Sequence, residues 1–189
     1  MTTVREAMTL LRERGAIRLV PDLVEAIAGG PVKGSWWAHP SGGVIYRVAS
    51  ELEERNDVVV SKFTDGKVTF VHARCFPALA RVVTDPGWRR ERISSLDREA
   101  RRAIAAVEKI GKLSADPTWK KALEKSALVR IFSEHTQSGK HVTMLESWSA
   151  WIARANVAAS DLSLDEALAS LASVGIDLRV APRRRSPSL

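Results

Sequence analysis

The chain has 189 residues, 45 % of them hydrophobic, and a formal net charge of +7. That supplies one good core or two small ones, and no run is long and apolar enough to cross a bilayer. Cys75 is the single cysteine, which excludes intrachain disulfides and cysteine-built zinc sites, and the absence of an apolar leader block points to the cytoplasm.

Thr2 or Thr3 caps a first predicted helix that runs to about Arg14 and ends at Gly15. Ala16 to Val20 reads as a short extended segment. Pro21 and Asp22 then open a second helix, which Gly29-Gly30-Pro31 stops. A loop follows, Lys33-Gly34-Ser35-Trp36-Trp37-Ala38-His39-Pro40. Ser41 caps a third helix that ends near Arg55-Asn56. Next comes Asp57 to His72, DVVVSKFTDGKVTFVH, two β-prone runs around Asp65-Gly66. That dipeptide suits a tight type I′ turn, and Val68, Phe70 and His72 alternate with Lys67, Thr69 and Val71.

This order of helix, short strand, helix, helix and hairpin resembles the winged-helix variant of the helix-turn-helix, with the hairpin as its wing. The resemblance covers about residues 1–75 and implies a third helix in the DNA major groove with the wing beside it. The third helix departs from that pattern. It carries Glu51, Glu53 and Glu54, and only Arg47 could reach a base or phosphate without repulsion. Either its N-terminal end alone meets DNA, or the winged helix is a scaffold.

Beyond the hairpin the spacing predicts helices throughout. A short one over Phe76 to Val83 stops before Asp85-Pro86-Gly87. A longer one, capped by Ser94 or Ser95, carries Leu96, Ala100, Ile104 and Val107 on one face. Asp116-Pro117 opens another through Trp119, Leu123, Leu128 and Phe132, broken at Ser138-Gly139. A further helix spans about Val142 to Ala155, and Ser163 to Glu166 has the capping-box pattern of a last one. The expected fold is therefore mainly α with a small β-hairpin. It divides into a winged-helix domain (residues 1–84), a helical domain (85–181) and a basic disordered tail (182–189).

The charge is localised. Residues 81–130 hold 13 Lys/Arg against 7 Asp/Glu, a surplus of +6 out of the +7. Such a surface attracts polyanions, and the alternative is a solvated helix face partly neutralised by Glu91, Glu99 and Glu108. Arg89, Arg90, Arg98, Arg101 and Arg102, with Lys62 and Lys67 of the hairpin, are placed along a phosphate backbone. Lys33, Trp36, Trp37, His39, Arg47 and Lys140 complete the candidate DNA-binding set, one tryptophan stacking on or wedging beside a base. The alternative for the tryptophans is packing, one between helices and one over the hairpin.

Glu134-His135-Thr136-Gln137-Ser138-Gly139-Lys140-His141, followed by Glu146, gathers carboxylates, imidazoles and hydroxyls around a glycine break. Glu134 or Glu146 is the candidate water-activating base, with His135 or His141 orienting it or binding phosphate. The alternative is a polar turn capping two helix ends. His135 and His141 are six apart, which is not the spacing of a zinc helix, so no metal and no cofactor is expected.

The phrases GSWWAHP, DGKVTFVH and EHTQSGKH…LESW resemble those of a bacterial protein family without an assigned activity. A looser resemblance is to bacterial DNA glycosylases built from winged-helix modules. Those carry a paired-glutamine motif, whereas Gln137 is the only glutamine here, so no catalytic residue carries over. The expectation is a cytoplasmic, nucleoid-associated protein that binds double-stranded DNA and has no membrane partner. It would act in DNA processing or damage recognition, as a base-excision hydrolase if it is an enzyme. Two alternatives stand beside it: a winged-helix transcriptional regulator that forms a homodimer, and a protein-interaction module on a scaffold winged helix.

Overall fold

Thr3 starts the first helix, α1 (Val4–Arg14), with a capping box. Its hydroxyl accepts from the Glu6 N–H while the Glu6 carboxylate accepts from the Thr3 N–H. Gly15 closes α1 at φ 81°, a backbone angle that favours glycine. The computed structural model describes residues 2–63, 66–135, 141–158 and 160–179, with the side chains of His135 and His141 excepted. Asp65, the Thr136–Lys140 segment and the basic tail lie outside the described residues.

The first half continues with β1 (Ala16–Arg18), α2 (Val24–Ala28), α3 (Gly42–Glu53), β2 (Val58–Lys62) and β3 (Val68–His72). The expected hairpin is present, and β1 joins it to make an antiparallel sheet of order β1-β3-β2. Ser41 precedes α3 but makes no side-chain cap.

The second half holds α4 (Phe76–Val83), α5 (Pro86–Ser94), α6 (Arg98–Ile110), β4 (Lys112–Ser114), α7 (Pro117–Glu124), β5 (Val129–His135), β6 (His141–Ser147), α8 (Trp148–Ala155) and α9 (Leu164–Ser173). Three expectations change here. The helix over Phe76 to Val83 stops before Asp85-Pro86 as expected, but Asp85 also caps a helix that was not expected, α5, through a hydrogen bond from the Trp88 N–H. Asp97, and not Ser94 or Ser95, caps α6. The helix predicted from Asp116-Pro117 through Phe132 ends at Glu124, with Phe132 in strand β5, and the one predicted over Val142 to Ala155 is strand as far as Ser147 and helix only from Trp148. β5 and β6 pair from Val129↔Ser147 to His135↔His141, and β4 completes a second antiparallel sheet of order β4-β6-β5. The molecule is therefore mostly helical with two small three-stranded sheets, and the second half is not purely helical. No helix among the described residues is long and apolar enough to cross a membrane.

Two cores result. The smaller one packs Leu11, Leu23, Ile45 and Leu52 against Val58, Val60 and Phe70. The larger one takes Val59 and Val71 from the other face of the same sheet and joins them to Val83, Val107, Leu128, Leu145 and Trp148. The first sheet is thus dry on both faces. Its outer strand β2 meets the outer strand β5 of the second sheet. There the Ser61 hydroxyl accepts from the Ile131 N–H at 3.0 Å, and Arg130 Nε donates to the Val60 carbonyl at 3.2 Å. Each strand covers an edge that would otherwise offer unpaired backbone groups.

Candidate nucleic-acid interface and charged cleft

The tryptophan loop folds as one tight turn on the N-terminal end of α3. The Ala38 and His39 N–H groups donate back to the Ser35 and Trp36 carbonyls, and the Gly42 N–H donates to the His39 carbonyl at 2.7 Å. A Cβ at Gly42 would lie 2.9 Å from the Trp37 carbonyl oxygen, so only glycine lets the loop sit this close. Trp36 is half-buried against the smaller core and stacks on Trp37, with ring centroids 4.0 Å apart. Trp37 is 61 % exposed, and its ring tilts against Tyr46 at 5.5 Å. His39 Nδ1 accepts from the Ser41 N–H, which leaves the ring proton on Nε2 in the neutral form. Lys33 is exposed beside this loop in sequence, and Arg47 lies one turn into α3 in a loose pair with Glu51 at 3.9 Å. Charge therefore runs along α3, with Arg47 near its start and Glu51, Glu53 and Glu54 at its end.

The basic residues of the middle third divide into bound and free. Arg89 donates to the Val83 and Leu128 carbonyls and to Glu108, so its charge is built into the fold. Arg102 pairs with Glu99, and Arg101 Nε donates to the Asp97 carbonyl. Lys62 is held by Glu124 at 2.6 Å. Lys67, Arg90 and Arg98 are exposed and make no ion pair among the described residues. Sequence reasoning gives no role to Arg92, which is buried. It stacks over Trp88 at 4.4 Å and donates to the Ser126 and Leu178 carbonyls, and burial pushes its pKa down to about 10. Lys140 lies outside the described residues.

Glu134 and Glu146 line one cleft between the end of α3 and the outward face of the second sheet. Cross-strand register sets Lys112, Glu146 and Arg130 side by side, with Phe132 and Glu134 further along β5 on that same face. Glu134 is paired with Lys112. The Glu146 carboxylate accepts from Arg130 Nη1 at 2.7 Å, from Arg154 Nε at 3.2 Å, and from Arg154 Nη2 at 3.0 Å to each oxygen. Arg130 also stacks over the Phe132 ring at 4.0 Å. Neither carboxylate is a free base in this arrangement; each is the acceptor of an ion pair. Backbone pairing brings His135 and His141 opposite each other at the far end of this hairpin, and their side chains lie outside the described residues. Comparison with protein-family models, with curated proteins and with solved structures finds no match to this chain.

Proposed function

We propose that this is a winged-helix protein that binds duplex DNA and acts in damage recognition or DNA processing, with base excision as the reaction class if a bond is broken. The observation that carries this reading is Trp37. It is a large aromatic ring left 61 % exposed, braced from behind by Trp36, at the N-terminal end of a helix. A ring fixed in that way is suited to stacking on a base or wedging into a base step. The element order of the first half and the sheet order β1-β3-β2 support the winged-helix arrangement. The charge gradient along α3 favours contact through its start, where Lys33 and the helix N-terminus are compatible with phosphate, with Arg47 further along and held only loosely by Glu51.

A second reading is favoured by one feature of the hairpin. Its tip packs on the end of α7, where a Cβ at Gly66 would lie 3.8 Å from the Glu124 carbonyl oxygen, and Lys62 is tied to Glu124. A wing held this way makes a poor arm for DNA, which fits a scaffold for protein contacts. Fluorescence anisotropy with intact, abasic and mismatched duplexes at two salt concentrations separates the readings. Trp37→Ala should weaken binding to the damaged duplexes about tenfold with an unchanged thermal midpoint, since stacking one base contributes about 1–3 kcal/mol. Binding that ignores both damage and Trp37 would leave the scaffold reading standing.

A further inference from the structure

We propose that the cleft between the end of α3 and the second sheet binds a nucleoside monophosphate, with the guanidiniums of Arg154 and Arg130 on its phosphate. The cleft has two lobes of about 520 and 500 Å³, which share Glu53, Glu54, Arg130 and Arg154 in their walls. Either lobe lies in the size range of small-molecule sites, and the junction of two packed halves is a usual place for one.

The chemistry follows from the ion triad. Glu146 is buried and grips two guanidiniums, so the triad itself carries one surplus positive charge. Arg130 spends Nε on the Val60 carbonyl and Nη1 on Glu146; Arg154 spends Nε and Nη2 on Glu146. Arg130 Nη2 and Arg154 Nη1 have no partner among the described residues, and both guanidiniums are already oriented by the carboxylate they share. Two oriented guanidiniums form a fork that suits phosphate oxygens. The ordering entropy of Arg130 is met by the fold, because that side chain is only 10 % exposed.

The opposite wall selects the rest of the ligand. Glu54 is exposed and makes no ion pair among the described residues. A run of phosphates along this wall would meet the exposed carboxylate of Glu54. A single phosphate whose remainder donates hydrogen bonds would not, and a nucleoside offers hydroxyl and amino donors. In the other lobe the half-buried Ala155, with the edges of the buried Val58 and Trp151, offers the base a small apolar patch beside Arg55 and Asn56. The nucleotide could be free or the 5′ end of a DNA strand, since both present the same phosphate monoester.

Calorimetric titration of the full chain with AMP, adenosine and inorganic phosphate tests this. AMP should bind about tenfold more tightly than adenosine, and R154Q should remove about that factor while leaving the thermal midpoint within a few degrees. AMP and adenosine binding alike, or AMP binding unaltered in R154Q, would overturn the proposal. E54Q replaces the carboxylate that accepts from the nucleoside's donors with a neutral amide and breaks no ion pair among the described residues, so it should weaken adenosine a few-fold. Unchanged or tighter adenosine binding in E54Q would overturn the proposal even if R154Q does not fold. Competition by a 5′-phosphorylated oligonucleotide, and not by its 5′-hydroxyl form, would assign the site to strand ends; AMP binding without such competition would assign it to free nucleotide. Trp37→Ala should leave AMP binding unchanged, so this site and the proposed DNA contact fail separately.

Discussion

The two hairpins of this molecule share a topology and differ in what covers them. Each is antiparallel, and each gains a short third strand on its later arm, β1 beside β3 and β4 beside β6. The first sends Val58, Val60 and Phe70 into one core and Val59 and Val71 into the other, so both faces are dry. The second buries Val129, Ile131 and Leu145 and turns Arg130, Phe132, Glu134 and Glu146 to a cleft. A sheet closed on both faces has nowhere to place chemistry. The second sheet tolerates an ion triad because Arg154, 59 % exposed, keeps its head in water while Glu146 and Arg130 are covered.

Substituting one aromatic in each hairpin gives the largest contrast. Phe70 is 2 % exposed, and Phe70→Ala should cost about 4 kcal/mol through lost burial and the cavity left behind. Phe132→Ala on the cleft face should cost about 1 kcal/mol, mostly the contact with Arg130. Urea unfolding of both variants measures the difference. Equal costs would mean that the outward face of the second sheet is as closed as the first.

Glu146→Ala comes next, at about 3 kcal/mol, because it leaves the covered Arg130 guanidinium without its carboxylate. Replacing both partners, Arg130→Met with Glu146→Leu, should recover most of that loss, since the desolvation of two charges is avoided. A double variant no more stable than Glu146→Ala would show that the Arg130 bond to the Val60 carbonyl, which joins the two sheets, matters more than the ion pair.

How much of this was legible in the sequence follows the same division. Local signals carried through: the threonine cap of α1, the Ser163–Glu166 capping box, the Asp116-Pro117 start and the hairpin arms around Gly66 are all decided within four or five residues. The second hairpin was hidden because Leu128, Phe132, Leu145 and Trp148 fall at spacings that serve a helix as well as a strand. The alternation of Val129 and Ile131 with Arg130 and Phe132 was the competing signal, and burial across the sheet decided for it. Asp85-Pro86 carries the same pattern as Asp116-Pro117, yet before a glycine it reads equally well as a stop. The tryptophan loop was visible as a candidate from its composition. The pairing of Lys62, Arg89, Glu134 and Glu146 was not, because their partners lie 62, 19, 22 and 16 residues away and only the fold joins them.

The smallest effect expected concerns acid, and it sharpens the comparison from the side of the first hairpin. Asp57 leads into β2, and Arg55 holds it through bonds of 2.6 and 2.9 Å, which keep its carboxyl below the usual range. A carboxyl lowered in the folded state adds stability above its unfolded pKa, about 4, and loses it as pH falls through the folded value. His72, at the end of β3, is pushed down by burial, so the unfolded chain takes up its proton more readily and stability falls below about pH 6.5. Unfolding midpoints measured from pH 7 to pH 3 should therefore fall in two steps, the first from His72 and the second shared by Asp57. Asp57→Asn should shrink the lower step by a fraction of a kcal/mol, as for other partly exposed pairs. It should also deepen the upper one, because the Asp57 charge is what favours the His72 proton. A lower step of undiminished size in Asp57→Asn would move the acid sensitivity to the helix caps, where Glu6, Asp85 and Glu166 are lowered in the same direction by backbone or hydroxyl hydrogen bonds.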